Sequence, residues 1–152
     1  NRERLRNYEV LCLTHSETSN GTQIRMEELA QIRSMTDALI AIDATSSFGG
    51  VVFDWTLGDV WFTSVQKCLG LPAGMGIMVC SPKALEKARK VNDILRYNSL
   101  LFIHENFEKY QTHYTPNTLG VYLLMRVMEQ VENIQEIGVR SEKRAELWYD
   151  FL

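Results

Sequence analysis

Four short runs dominated by apolar residues occupy positions 8–14, 38–42, 59–63 and 76–80 of the chain. Between the first two runs, one face of a predicted helix is apolar at positions 24, 26, 29, 32 and 35. Strands that are apolar along their whole length are expected where helices cover both faces of a sheet. Strands separated by helix-length segments indicate an α/β domain with a mostly parallel sheet.

Beyond residue 80 the pattern becomes helical. Ser81 is predicted to cap a basic helix over residues 82–91, which has proline at its first position. Residues 104–116 are polar and are expected to be irregular. Two further helices are predicted over 118–132 and 139–152, because their apolar residues recur at helical spacing.

The composition is that of an ordinary globular protein, with 45% hydrophobic and 23% charged residues in a chain of 152. The formal net charge of −3 predicts no nucleic-acid partner and no anionic membrane partner. Every apolar run is shorter than the roughly 18 to 20 residues that a membrane-spanning helix needs. The chain opens without methionine and stops within a helical pattern, so we expect it to be part of a longer protein.

The three cysteines and three histidines predict neither a disulfide framework nor a metal site. Cys12 and Cys80 lie in apolar runs, and an odd number of cysteines suits reduced, buried thiols in a cytoplasmic protein. Cys68 is expected to be a small neighbour of Lys67 rather than a redox group. The histidines show no metal-ligand spacing with the cysteines.

A polar cluster follows each of the first three predicted strands. The clusters are residues 15–21 (HSETSNG), 43–47 (DATSS) and 64–67 (SVQK). Ligands of open α/β sheets bind outside the carboxyl ends of the strands. The three clusters are therefore expected to form one site, although each residue taken singly is usually a turn former.

Lys67 and Asp43 are the residues in these clusters whose chemistry is most specific. A lysine amine at the edge of a buried core is available to form a Schiff base, but a solvated loop lysine is the more frequent case. A carboxylate at the end of a strand could hold a proton on a heterocyclic nitrogen, as an electron-sink cofactor requires. A helix N-cap or an Asx-turn is the structural alternative for Asp43.

Three ordered segments together carry a family resemblance: HSETSNG (15–21), DATSSFGG (43–50) and TSVQKCLGLPAGMGIMVCSP (63–82). They resemble the class V aminotransferases, pyridoxal-phosphate enzymes of fold type I. The resemblance implies an α/β fold, the mostly parallel sheet of the fold type I large domain with helices on both faces. It assigns residues 1–116 to the central part of that cofactor-binding domain, and residues 117–152 to helices that lead toward a small C-terminal domain.

The same resemblance implies roles for single residues. Lys67 matches the lysine that holds pyridoxal 5'-phosphate and later moves the proton between Cα and C4′. Asp43 matches the carboxylate that pairs with the pyridine nitrogen and keeps the ring protonated. The other matches are Thr18 at the phenolic oxygen, Thr45 on the ring face, Gln66 and Ser64 at the phosphate, and Asn117 and Thr118 at the phosphate of the neighbouring subunit. Thr118 is otherwise a plain helix N-cap.

These matches imply a homodimer with shared active sites that transfers an amino group between an amino acid and a 2-oxo acid. Formation of phosphoserine, a step of serine biosynthesis, is the preferred reaction, because HSETSNG and residues 115–118 (TPNT) look closer to that branch. Gln66 stands where the cysteine-desulfurase branch commonly has histidine. Val65 and Trp61 depart from the usual family residues, which questions the subfamily more than the fold.

Three alternatives stay open from the sequence. The first is another class V aminotransferase, of the alanine–glyoxylate or serine–pyruvate type. The second is a carbon–sulfur lyase or cysteine desulfurase on the same scaffold. The third is a non-catalytic module, if these residues are the whole protein. The residues that read the substrate are expected to lie outside the segment, so the sequence does not identify the substrate.

Overall fold

The computed structural model describes residues 7–131 and 133–152. Over these residues it is an α/β structure in which one α-helix lies among the strands and the other four follow the last strand. In chain order the elements are β1 (Val10–Thr14), β2 (Ser16–Glu17), β3 (Thr22–Gln23), α1 (Met26–Met35), β4 (Leu39–Asp43), a 3-10 turn (Trp55–Leu57), β5 (Val60–Ser64), β6 (Gly76–Cys80), α2 (Pro82–Val91), α3 (Leu100–Phe107), α4 (Thr118–Gln130) and α5 (Ile134–Phe151).

The four long strands form one sheet in the order β1-β4-β5-β6. β1 and β4 pair in parallel, as do β4 and β5, whereas β6 returns antiparallel to β5. β2 and β3 form a separate small hairpin directly after β1. The predicted strands and the mostly parallel sheet are therefore confirmed.

One face of the sheet packs against α1. Leu29 of α1, Ile40 and Ile42 of β4, and Trp61 of β5 are all buried in this core. Burial of side chains of this size stabilises the fold by about 1.5 to 3 kcal/mol each relative to leaving them exposed. On the opposite face, α2 lies beside Leu39 at a groove, so helices occupy both faces as predicted.

Gly58 allows the chain to enter β5 beneath the largest core side chain. A Cβ atom at this position would lie 2.6 Å from Nε1 of Trp61 and 2.7 Å from Cδ1 of Ile42. Atoms at those distances overlap, so only glycine fits without moving the core.

Buried hydrogen bonds tie the amino ends of β4 and β5 to both flanking helices. The Asp59 carboxylate accepts from the Ile40 amide at 2.9 Å, the Arg33 guanidinium at 2.8 Å and the Ser81 hydroxyl at 2.9 Å. Arg33 also donates to the backbone carbonyls of Thr36 and Ala38. These contacts fix the end of the sheet that lies away from the polar clusters.

The helices agree with the sequence pattern at α2 and depart from it elsewhere. Ser81 caps α2 through its hydroxyl, which accepts from the Ala84 amide at 3.1 Å. The expectation that residues 104–116 are irregular is wrong for 104–107, which belong to α3. The Ser99 hydroxyl caps α3 and buried Leu101 anchors it. The last helix begins at Ile134, five residues earlier than its apolar pattern indicates.

The prediction of buried thiols is also wrong. Cys12 and Cys68 are exposed and Cys80 is partly exposed, and all three are free. Cys12 lies on the sheet face that also carries Phe62 and Met78, which are 40% and 41% exposed. The apolar runs therefore mark strands correctly, but not the face that is covered.

Across residues 7–131 and 133–152, no helix combines the length and the apolar character needed to cross a membrane. The same described part of the chain contains no group of three histidine, cysteine or acidic side chains placed to hold a metal ion.

Candidate active site

The carboxyl ends of β1, β4 and β5 lie side by side and bring the three polar clusters to one edge of the sheet. Thr14 and Phe62 are the register partners of Asp43 on its two sides. Beyond the strands, the His15 amide donates to the Asp43 carbonyl at 2.8 Å, and the Ala44 amide donates to the Phe62 carbonyl at 2.9 Å. The convergence predicted from strand order is therefore present.

Asp43 is half-buried at the end of β4, and its side chain shapes the loop that follows. Oδ1 accepts from the Thr45 amide at 2.9 Å, which is the Asx-turn named as the structural alternative. An ionised carboxylate has two oxygens with about four acceptor positions in total. The turn leaves room on the same carboxylate for a donor from a ligand, so the structural and chemical roles are compatible.

Lys67 lies in the loop of residues 65–75 that joins β5 to β6. Its side chain is exposed, as is that of Gln66, whereas Ser64 is half-buried at the end of β5. The Lys67 carbonyl accepts from the Gly70 amide at 2.9 Å in a tight turn where Gly70 has a φ of 66°. Glycine adopts a positive φ readily and most other residues do not, so the turn directly after Lys67 depends on glycine at position 70.

The Lys67 loop packs directly against the loop that follows Asp43. The Cys68 thiol donates to the Ser46 carbonyl at 3.6 Å. A Cβ atom on Gly50 would lie 3.2 Å from Sγ of Cys68, and one on Gly49 would lie 3.2 Å from Cδ2 of Leu69. Although Cys68 is exposed as a residue, its packing against this loop removes part of the sulfur from water and raises the pKa of the thiol, so the contact is made by the neutral thiol at pH 7.

Thr18 is exposed in the β2–β3 hairpin at the same edge of the sheet. The neighbouring Glu17 carboxylate accepts from the Ser19 amide at 2.9 Å, and this bond lowers the pKa of Glu17. The charge of Asp43 acts in the opposite direction and raises the pKa of Glu17, but its effect is the smaller one. The hairpin therefore lies within electrostatic range of Asp43.

His15 and Ser47 form a buried contact that the sequence reasoning missed. Nδ1 of His15 and the Ser47 hydroxyl lie 2.8 Å apart, and both side chains are almost fully buried. Burial lowers the pKa of His15, so its ring is neutral at pH 7. In the sequence, His15 is the first residue of one polar cluster and Ser47 is the last residue of another. These positions did not indicate that the two residues pair.

Asn117 and Thr118 lie at the start of α4. The helix begins at Thr118 as expected, but its cap is Asn117, whose Oδ1 accepts from the Gly120 amide at 3.0 Å. A small cavity of about 70 Å³ separates this helix start from Val65 and Met75 of the Lys67 loop. α4 thus begins beside the Lys67 loop of its own chain, while the contact with a neighbouring subunit stays a prediction.

The donor set at this edge fits the cofactor that the sequence resemblance implies. Asp43 offers a carboxylate for a protonated ring nitrogen, and Lys67 offers an amine for a carbonyl carbon. Hydroxyl and amide groups suited to a phosphate or a phenolic oxygen come from Thr18, Ser64 and Gln66.

Comparison with known proteins shows the family to which the chain belongs. The profile of the class V aminotransferases matches residues 3–149. A phosphoserine aminotransferase from Rhodococcus opacus (strain B4) is 38% identical over 114 residues, which are 72% of this chain and 30% of that protein. A serine–glyoxylate aminotransferase from Arabidopsis thaliana is 33% identical over 144 residues, which are 87% of this chain and 33% of that protein.

The fold also matches a solved structure of this kind. The crystal structure of a phosphoserine aminotransferase from Cytophaga hutchinsonii superposes with a TM-score of 0.86 and 37% sequence identity. The match covers 95% of this chain and 42% of that one. The chain thus spans less than half the length of each of these relatives. It belongs to the class V aminotransferases, a family of enzymes that depend on pyridoxal phosphate.

Proposed function

We propose that these residues form the cofactor-holding part of a phosphoserine aminotransferase. The observation that carries the proposal is the placement of Asp43 and Lys67 after neighbouring strands, in loops that contact each other through Cys68 and Ser46. Two phosphoserine aminotransferases at 37% and 38% identity support this member of the family. Because the chain spans only part of those proteins, the reaction of the whole protein is part of the proposal.

Pyridoxal phosphate, when bound, supplies a ring that accepts electrons from the substrate's Cα. Asp43 holds the proton on the ring nitrogen, which makes that acceptance possible. The Lys67 amine would hold the cofactor and, once the substrate's amine has displaced it, would move the proton from the substrate's Cα to C4′ of the cofactor. The tight turn at Gly70 and the packing of Cys68 hold the backbone of the loop that contains Lys67.

The remaining residues orient the cofactor. Thr18 donates to the phenolic oxygen and Thr45 contacts the face of the ring. Gln66 and Ser64 bind the phosphate, and Asn117 and Thr118 reach the phosphate held by a second copy of the chain. The active protein is accordingly a homodimer with shared sites. The helix start at Thr118 supports this role, since backbone amides at a helix N-terminus attract anions.

We assign residues 1–116 to the central part of the large domain and residues 117–152 to helices that lead toward the small domain. The boundary falls directly before α4, and α4 and α5 occupy Thr118–Gln130 and Ile134–Phe151 of the second part. We place the enzyme in the cytoplasm, since three free cysteines suit a reducing compartment.

Titration with pyridoxal phosphate tests the cofactor site. The chain is expected to develop a visible absorbance band that Lys67→Ala abolishes, because only a covalent link through the amine shifts the spectrum in this way. Lys90→Ala is the matched control, since Lys90 pairs with Glu86 on the exposed side of α2. A band that persists in Lys67→Ala, or is lost equally in Lys90→Ala, would contradict the site.

A substrate panel tests the reaction on the complete protein that contains this chain. Glutamate with 3-phosphohydroxypyruvate is expected to be the most active pair. Greater activity with serine and glyoxylate would favour the second candidate, which the 33% identity to the Arabidopsis thaliana enzyme supports. Release of sulfide or sulfane sulfur from cysteine without an oxo acid would instead identify a desulfurase or lyase.

A further inference from the structure

A buried hydrogen bond joins the segment after β1 to the segment after β4. We propose that His15 and Ser47 are positioning residues, whose shared hydrogen bond holds the loop of Asp43 and Thr45 in the shape that binds pyridoxal phosphate. This inference rests on the proposed function, because it names the residues that prepare the same site.

His15 contacts both ends of that loop. Its backbone amide donates to the Asp43 carbonyl at 2.8 Å, and Nδ1 lies 2.8 Å from the Ser47 hydroxyl. Ser47 turns back toward the start of the loop, with its amide donating to the Ala44 carbonyl at 2.9 Å. Thr45 lies between these anchors, so one residue of the neighbouring segment fixes the loop on either side of it.

The surroundings make this contact costly to lose. His15 is 1% exposed and Ser47 is 2% exposed, and the Phe53 ring lies edge-on to the imidazole with a centroid distance of 5.0 Å. A buried polar group that loses its partner retains the full penalty of leaving water. Removal of either partner leaves the other buried with only a longer contact, from Nδ1 to the Ser16 hydroxyl at 3.2 Å or from the Ser47 hydroxyl to the Ala44 carbonyl at 3.4 Å.

The geometry also shows which atom of the ring matters. Within the part of the chain that the structure describes, Nε2 of His15 is buried without a hydrogen-bond partner. Nδ1 contacts Ser47 and lies 3.2 Å from the Ser16 hydroxyl. The hydrogen bonds of the ring are thus made through Nδ1, and a side chain that supplies a polar atom at that position is expected to replace it.

Cofactor affinity in four variants tests the proposal. Ser47→Ala and His15→Leu are expected to raise the dissociation constant for pyridoxal phosphate about tenfold, the effect of one lost buried hydrogen bond. His15→Asn places an amide near the Nδ1 position and is expected to stay within about twofold of the native affinity. Ser81→Ala is the matched control, because it removes a capping hydroxyl at the opposite edge of the sheet.

The control separates positioning from general stability. Ser81→Ala is expected to lower the melting temperature as Ser47→Ala does, but to leave cofactor affinity unchanged. Equal affinity in Ser47→Ala, His15→Leu and Ser81→Ala would overturn the proposal. So would a loss of affinity in His15→Asn as large as that in His15→Leu.

Amide hydrogen exchange on the chain without cofactor separates this inference from the proposed function. The Thr45 amide, which donates to Asp43, is expected to exchange about tenfold faster in Ser47→Ala and His15→Leu than in Ser81→Ala. Equal exchange in these variants would overturn the positioning role, even in a chain that binds pyridoxal phosphate. A different result would be faster exchange in these two variants, together with a native chain that does not bind the cofactor. That result would contradict the proposed function and support the positioning role.

Discussion

Asp59 and Arg33 form a salt bridge of 2.8 Å at the edge of the sheet opposite the candidate active site. The Asp59 carboxylate is buried there and also accepts from the Ile40 amide and the Ser81 hydroxyl. One side chain therefore joins β4, α1 and the start of α2. This arrangement anchors one edge of the sheet, while the other edge carries the loops of the candidate active site.

Replacement of Asp59 by alanine is expected to destabilise the chain by about 3 to 5 kcal/mol, because the removal of one partner leaves buried groups without an acceptor. Urea unfolding followed by circular dichroism measures this change. Glu9→Gln is the control, since Glu9 pairs with Lys87 at 3.1 Å on the surface, where ion pairs contribute little. Similar losses in both variants would contradict the assigned role of Asp59.

Gly58→Ala is expected to cost about 1 to 3 kcal/mol of stability, as overpacking of a filled core does. The added methyl would meet Trp61 at 2.6 Å, so tryptophan fluorescence of the folded state should also change. Gly138→Ala is the control, because its Cβ would lie 3.5 Å from Val52, an ordinary contact, within helix α5. That variant is expected to be neutral or more stable by up to about 1 kcal/mol.

The strands were predictable because the runs near Leu13, Ile40 and Trp61 are apolar without interruption, although β1 has no buried residue whereas β4 and β5 have buried ones. The convergence of the polar clusters was also predictable, since strand order places Asp43 and Lys67 at one edge of the sheet. The exposure of Cys12 was not predictable, because an apolar run does not indicate which face of the strand other elements cover.

Contacts that depend on the alignment of distant segments could not be predicted from the sequence either. His15 and Ser47 are 32 residues apart and meet only when β1 and β4 align. Helix α3 was not predicted because residues 104–106 are polar and because Leu101 is its one buried residue, which gives no apolar pattern at helical spacing. Asn117 and Thr118 are both good caps, so the sequence did not distinguish the capping residue from the first helical one.

Acid is expected to destabilise the native chain through His15 before it titrates the carboxylates. Burial lowers the pKa of His15 below its ordinary 6.5, so the unfolded chain binds this proton at a higher pH than the folded chain does. The free energy of unfolding is therefore not reduced by His15 above pH 6.5. It decreases as the pH is lowered from 6.5 to the lowered pKa of the folded chain. The loss is about 1.4 kcal/mol for each pH unit within that window.

Unfolding free energies between pH 5 and 7.5 measure this effect, with His15→Leu as the comparison. The variant is expected to show a flatter profile, because the titrating ring is absent. Glu17 and Asp43 are the carboxylates of the two polar clusters that contain His15 and Ser47. The pKa of Glu17 is lowered, so Glu17 titrates below the measured pH range and does not account for the slope. Parallel slopes in the two proteins would contradict the assignment.

Gly50→Ala is expected to weaken pyridoxal phosphate binding about threefold to tenfold, because its Cβ would approach Sγ of Cys68 to 3.2 Å and push the Lys67 loop outward. Adding Cys68→Ala removes that sulfur and is expected to restore the affinity. Gly49→Ala serves as the matched comparison: its φ is 87°, a conformation that strains alanine whatever lies nearby. Cys68→Ala should therefore rescue the change at Gly50 but not the change at Gly49, and rescue of both or of neither would show that the two loops are not coupled through the thiol.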